Sequence, residues 1–238
     1  MYIETIDEWF VSLYTWLLKQ PLYRWDSFEI LQSTLSFMLW ITLFFIFDFH
    51  IPSMRKYRIN IMKGKEEKDN INNDDNRDHI VKEELLAWKG RGKAIYQEVV
   101  WYTVPWMVLD YFFPRRDAFL SAFPTAPDSK TVLFQVLCSV ITYDVFFYFG
   151  HYIFHKFNIS THNKHHESGG TVRAIDAVRH TFWDGTFDVF CSVFALKFVG
   201  SHPLCRLLHN IVVTYLITEA HSGYVLPWSL SQVIPEGI

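Results

Sequence analysis

The strongest constraint on this chain is an apolar segment, residues 131–150, that runs without interruption into five histidines. A segment of that length crosses hydrocarbon as a helix. Lipid offers backbone N–H and C=O groups no partners, and a helix satisfies all of them within itself. If the helix continues past residue 150, His151 and His155 share one face with Cβ atoms about 5–6 Å apart, close enough to grip one ion. His162, His165 and His166 follow at i, i+3 and i+4, again a same-face spacing. Asp144 and Tyr148 lie on the same stripe upstream of His151, where a carboxylate is placed to bond a ligand's second ring nitrogen and fix its tautomer. Two histidines four apart are more often a solvated or core pair than a site. Five between positions 151 and 166, at the end of an apolar helix, are a metal-binding pattern. Imidazole suits zinc, copper, iron and nickel alike, so the pattern does not name the metal.

Other apolar segments recur along most of the 238 residues, of which 50% are hydrophobic and 18% aromatic. Residues 30–49 are the clearest further span. Residues 95–113 are long enough to cross but are interrupted by Glu98, Pro105 and Asp110. Residues 187–199 and 204–218 form an apolar pair joined at 200–203, expected to dip into the bilayer and return. Residues 5–25 carry Trp9, Trp16 and Trp25 among acidic groups and read as an interfacial helix, ended or kinked at Pro21. Residues 55–93 are charged, with a centre at 63–78 of disordered composition. Basic loops stay cytosolic, and two crossings later the histidines face the same side. The expected fold is therefore all-α, a polytopic membrane helical bundle with a cytosolic histidine-rich metal-binding cap. Its three regions are 1–54, with the interfacial helix and first span, the charged loop 55–94, and the membrane domain 95–238.

Several classes recede on the same reading. A formal charge of −3 gives no basic field for nucleic acid. Cys138, Cys191 and Cys205 are widely spaced, form no CxxC motif, and read as small buried hydrophobes. Glu4, Asp7 and Glu8 leave no basic n-region, so no cleavable signal peptide is expected. His50, His79, His202 and His209 read as interfacial, loop or structural residues. The sequon at Asn158 falls on the cytosolic side of this topology and reads as chance.

The order of motifs resembles the fatty acid hydroxylase/sterol desaturase superfamily. His151-Tyr-Ile-Phe-His155 matches its HxxxH box and His162-Asn-Lys-His165-His166 its HxxHH box, with Asp144 and Tyr148 at the acidic and aromatic positions before them. Gly200-Ser-His-Pro-Leu and Glu219-Ala-His221-Ser-Gly-Tyr-Val-Leu-Pro-Trp-Ser look like the cholesterol 25-hydroxylase and 4-methylsterol oxidase branches. Trp183-Asp184 is similar to a Trp-Glu pair there. The resemblance implies a di-iron oxygenase of the endoplasmic reticulum membrane, oxidising a sterol or related lipid. Its electrons would come from NAD(P)H through cytochrome b5 or a reductase. Zinc is possible as a bound species. The metal ligands it implies are His151, His155, His162, His165, His166 and His221. The residues it places beside them are Asp144, Tyr148, Asp184 and Glu219; His180 matches no ligand position of the family and is a further candidate beside the ligands, as a polar group near the membrane able to bond a carboxylate. A third box, HxxHH, is expected shortly after the Pro-Trp-Ser segment and does not occur before Ile238. The chain therefore reads as truncated, and the alternative is a catalytically inactive, metal-binding membrane protein of the same family. A zinc-dependent membrane hydrolase ranks last, for want of an HExxH motif.

Overall fold

The computed structural model describes residues 2–58, 85–86, 88–89, 92–157, 173–179 and 181–229. Among these residues the chain is helical, and its one extended pairing is a single antiparallel bridge between Arg58 and Tyr224.

The N-terminal segment folds as α1 (Tyr2–Leu18), stops at Gln20, and resumes as one turn, α2 (Pro21–Arg24). Pro21 has no N–H to donate, so it starts a helix more readily than it continues one. Tyr14, Leu17 and Phe10 of α1 pack with Tyr23 and Leu120, while Trp9 and Trp16 stay exposed on the other side. That is the amphipathic pattern expected of residues 5–25. The first long helix is α3 (Phe28–Phe49), followed by a 3-10 turn at Pro52–Tyr57.

Residues 95–113, expected as one span, are built in three pieces: α4 (Lys93–Glu98), a π turn (Val99–Thr103) and α5 (Val104–Phe112). Pro105 explains the break. Its ring crowds the carbonyl four residues back and offers it no N–H, and a π turn widens the helix where that bond is lost. A short helix, α6 (Arg116–Ser121), leads to the longest element, α7 (Ser129–Lys156). Asp128 caps α7 by accepting from the Thr131 N–H at 2.7 Å, and that bond holds its carboxyl below the usual range. The expected apolar pair appears as α8 (Phe182–Val199) and α9 (Pro203–Ser222). Gly200, at φ 67°, makes the turn between them. By length and composition α3 and α7 are the two helices among the described residues able to cross a membrane.

The helix α9 is central. Beside α3 it pairs Arg206 with Glu29, Asn210 with Gln32 at 3.0 Å, and Thr214 with Ser36 at 2.7 Å. The pairs advance together, so α3 and α9 run parallel. On its other side His209 reaches Ser139 of α7 at 2.9 Å, and Val213 clusters with Tyr143, so α7 is parallel too. Contacts of Phe154 with Phe187 and of Phe146 with Phe194 set α8 antiparallel to α7. The C-terminal ends of α3, α7 and α9 and the N-terminal end of α8 therefore gather at one end of the bundle. Both described histidines of the first box and His221 lie there.

Candidate metal site

One turn of α7 brings His151 and His155 together, with Nε2 atoms 3.1 Å apart and rings at 64°. Two nitrogens at about 2.1 Å from one first-row ion, at a right angle to each other, would lie about 3.0 Å apart. The pair thus has the spacing of two adjacent ligands. Phe147 stacks on the His151 ring at 5.4 Å, and Tyr143 stacks on Phe147 at 5.6 Å, so His151 ends an aromatic column descending into the bundle. Tyr143 is buried and donates its hydroxyl to Asp188 of α8.

A close helix contact lies beside the pair. A Cβ on Gly150 would sit 1.9 Å from Cζ of Phe187, so α8 approaches α7 as it does only because residue 150 is glycine. The start of α8 is fixed by a reciprocal cap. Asp184 accepts from the Thr181 hydroxyl at 2.7 Å, and its own N–H reaches the Thr181 oxygen.

His221, at the end of α9, donates Nδ1–H to the Ile217 carbonyl at 2.8 Å. That bond selects the tautomer in which Nε2 carries the lone pair, the form a metal needs. Glu219 is buried and accepts from Tyr215 at 2.9 Å and from Ser229 at 2.8 Å, both on Oε1. It ties the Pro-Trp-Ser segment back onto α9. Asp144 and Tyr148 occupy the exposed face of α7 below His151, on the stripe the spacing anticipates. His162, His165, His166 and His180 lie outside the described residues. Among the described residues no three His, Cys, Asp or Glu side chains converge into a site of their own.

Two clusters were not anticipated. At the histidine end, Asp48 of α3 accepts from Trp88 at 3.0 Å and Tyr224 at 2.8 Å, and pairs with Arg58 at 3.2 Å. It clasps both sides of the charged region to the segment after His221. At the opposite end, Glu29 accepts from Arg116 and Arg206, with Arg206 bound through Nε at 2.9 Å and Nη2 at 2.5 Å. Arg116 also donates to the Tyr23 carbonyl at 3.1 Å. The available signal was charge within apolar runs: Glu29, Asp188 and Arg206 sit in segments otherwise fit for lipid, where charges face the interior and pair. The Glu29 cluster lines one end of a cavity of about 340 Å³ between α3, α5, α8 and α9, walled also by apolar groups such as Phe37, Trp106, Leu196 and Ile217.

No family model matches the chain, and no solved structure matches it. Curated relatives do. The chain is 28% identical to cholesterol 25-hydroxylase of Homo sapiens over 148 residues, 61% of this chain and 53% of the relative. It is 29% identical to methylsterol monooxygenase 2-2 of Arabidopsis thaliana over 150 residues, 61% of this chain and 56% of the relative. A very-long-chain aldehyde decarbonylase of Oryza sativa subsp. indica is 28% identical over 134 residues, 56% of this chain and 50% of the relative. The chain spans about half the length of the curated relatives it matches. These relatives include oxidoreductases and share one superfamily, the one the histidine boxes resemble. Over these shared stretches the chain is similar to members of the fatty acid hydroxylase/sterol desaturase superfamily.

Proposed function

We propose that this chain acts in a membrane oxygenase that oxidises a sterol or related lipid with dioxygen. The observation that carries the reading is the His151–His155 pair, at ligand spacing on the end of a helix able to cross a membrane. The relatives named as a cholesterol hydroxylase and methylsterol monooxygenases support the substrate class. His151, His155 and His221 would hold iron together with His162, His165 and His166; the resemblance implies two ions, and six histidines alone would leave two under-ligated. Bound iron would supply the activation of dioxygen needed at an unactivated C–H bond.

The chain's own residues set the conditions around it. Phe147 and Tyr143 fill the volume under His151, which excludes water from the bundle side and fixes the ring's plane. The Ile217 carbonyl holds the His221 proton on Nδ1. Asp144, Tyr148, His180, Asp184 and Glu219 would orient the ligands or the segments bearing them. Electrons would come from NAD(P)H through cytochrome b5 or a reductase docking on the histidine end. In the endoplasmic reticulum membrane that end would face the cytosol, since the basic stretch after Tyr57 begins at the same end.

The experiment compares metal content and sterol oxidation for membranes carrying the chain and its His151→Ala/His155→Ala variant, supplied with the electron donors. The variant is expected to lose most bound iron, and oxidised product, read by mass spectrometry, to fall with it. Unchanged metal content in the variant would refute the site.

A further inference from the structure

We propose that Tyr143 is a redox-active tyrosine, which gives an electron through Phe147 toward His151 and its phenolic proton to Asp188. The inference rests on the proposed function for the source of the oxidant. The electron route itself can be measured without iron, dioxygen or substrate.

The first observation is the aromatic column. Tyr143, Phe147 and His151 recur every four residues on one stripe of α7. Tyr143 stacks on Phe147 at 5.6 Å with 20° between the rings, and Phe147 on His151 at 5.4 Å with 29°. The eight residues carry the column about 12 Å along the helix. Phenylalanine is much harder to oxidise than tyrosine, so Phe147 passes an electron and does not itself stay oxidised. The electron lost at the end of the column is therefore that of Tyr143.

The second observation is the proton. A phenol that loses an electron becomes a strong acid, and it is oxidised readily only where a base takes the proton in the same step. Tyr143 is 6% exposed, so solvent does not serve. Its hydroxyl donates to Asp188 of α8, which puts a carboxylate on that proton in advance. Around them lie apolar neighbours on three helices, Val140 of α7, Cys191 and Ala195 of α8, and Val213 of α9. Packing alone does not account for the pair. Phenylalanine would fill the column equally well and would ask for no carboxylate, and a charge placed within a membrane bundle is costly and marks function.

The third observation is contrast. Tyr148 and Tyr152 lie closer to the histidine pair in sequence, but both are half-exposed on the outer face of α7. Neither hydroxyl has a hydrogen-bonded base among the described residues. Of the tyrosines on this part of α7, Tyr143 alone joins a stacked route to His151 with a proton acceptor.

The step balances within the bundle. An oxidant formed from dioxygen at the histidine end takes one electron from Tyr143. The phenolic O–H bond breaks, the proton joins an Asp188 oxygen, and a neutral phenoxyl radical faces a neutral carboxylic acid. One electron from the NAD(P)H-linked donor, with return of that proton, restores the phenol and the carboxylate. Two such cycles, with two protons taken from the cytosolic side, reduce an unused oxygen atom to water. An oxidant that meets no C–H bond is thereby spent without attacking the histidines.

The test loads ruthenium bis(bipyridine), which takes two adjacent imidazoles, onto the His151–His155 pair of the purified full chain in lipid nanodiscs. A laser flash with a sacrificial electron acceptor makes ruthenium(III) at that place. Transient absorption and freeze-quench EPR read the radical, and ring-deuterated tyrosine identifies it as tyrosyl. The radical is expected to form, to be lost in Tyr143→Phe and in His151→Ala/His155→Ala, and to persist in Tyr152→Phe. Asp188→Asn keeps a hydrogen-bond acceptor but no base, and should slow the rise of the radical about a hundredfold, the low end of what a positioned base contributes. Asp188→Glu should recover most of that rate. No radical in the unaltered chain, a radical that survives Tyr143→Phe, or an unchanged rate in Asp188→Asn would each overturn the proposal. The expected radical, together with no iron binding or no sterol oxidation, would leave this inference standing and remove the proposed activity. Sterol oxidation by the iron-loaded chain without a flash-generated radical would do the reverse.

Discussion

Gly150→Ala is the smallest change that probes how the histidine pair is held. A methyl at this position would meet Phe187 Cζ at 1.9 Å, Cε2 at 2.5 Å and Cε1 at 2.8 Å. Carbon–carbon contacts relax at about 3.5–4.0 Å, so the ring must retreat by about 1.6 Å or more. It is not free to do so. Phe154 stands edge-on to it at 4.9 Å, and Phe147, itself stacked on His151, lies at 6.0 Å. Overpacking of this kind costs about 1–3 kcal/mol. Replacing a helical glycine by alanine returns about 1 kcal/mol through propensity. The net expectation is a destabilisation of about 0–2 kcal/mol, too small a window for the single variant to be decisive. A double-mutant cycle with Phe187→Leu isolates the clash. In the Phe187→Leu background the methyl has room, and Gly150→Ala should then stabilise by about 1 kcal/mol. The coupling between the two sites should be about 1–3 kcal/mol. Thermal unfolding of the four proteins in one detergent reads it, at about 2–4 °C per kcal/mol for a chain of this size. Stabilisation by Gly150→Ala in both backgrounds, with no coupling, would refute the close approach of α7 and α8.

Three further outcomes follow from other contacts. Glu29→Ala leaves Arg116 and Arg206 without their carboxylate and should cost about 3–5 kcal/mol. Adding Arg206→Met should recover part of that loss, and thermal unfolding would contradict the cluster if neither change is seen. His202 accepts from the Leu204 N–H at 3.1 Å and donates to the Thr125 carbonyl at 3.0 Å, and burial pushes its pKa down. The unfolded chain therefore takes the proton first, so stability is full above about pH 6.5 and declines as pH falls below it. His202→Asn keeps a helix cap and should flatten that decline between pH 7 and pH 5; an unchanged slope would assign it to other groups. Asn158 should carry no glycan in microsomes, and a mobility shift reversed by glycosidase would place the histidine end in the lumen.

Much of the helical plan could be read from residue pattern, because single-helix properties decide it. The apolar runs of α3 and α7, the proline that ends α1 and the glycine that turns α8 into α9 are all local signals. The His151–His155 spacing is local as well. Relations between helices were not legible. Glu29, Gln32 and Ser36 look like unrelated polar residues until Arg206, Asn210 and Thr214 stand opposite them. Asp48 reads as the polar end of a span until Tyr224, some 176 residues later, donates to it. Pro105 signalled an interruption in residues 95–113, but not that the backbone would widen into a π turn. Asp184 read as a neighbour of the metal ligands. Its bonds to Thr181 give it a capping role that any helix start could carry.

The helix α9 explains why the later apolar pair was hard to interpret. A surface helix announces itself by one apolar face, but α9 works on three sides. Arg206, Asn210 and Thr214 recur every four residues and answer α3. His209 and Val213, on a neighbouring stripe, answer α7 and α8: His209 bonds Ser139 and, at 3.2 Å, Ser192, and Val213 packs with Tyr143 and Cys191. Glu219 and Ser222 turn to the segment that follows, through Ser229 and the Tyr224 N–H. Polar groups spread over every face lower the apparent fitness for lipid of a helix that is largely enclosed by other helices. Each of those groups has a partner on a different element, so their burial fixes register where apolar contacts would allow sliding. The same helix carries Arg206 at one end and His221 at the other, and its rise sets the distance between them.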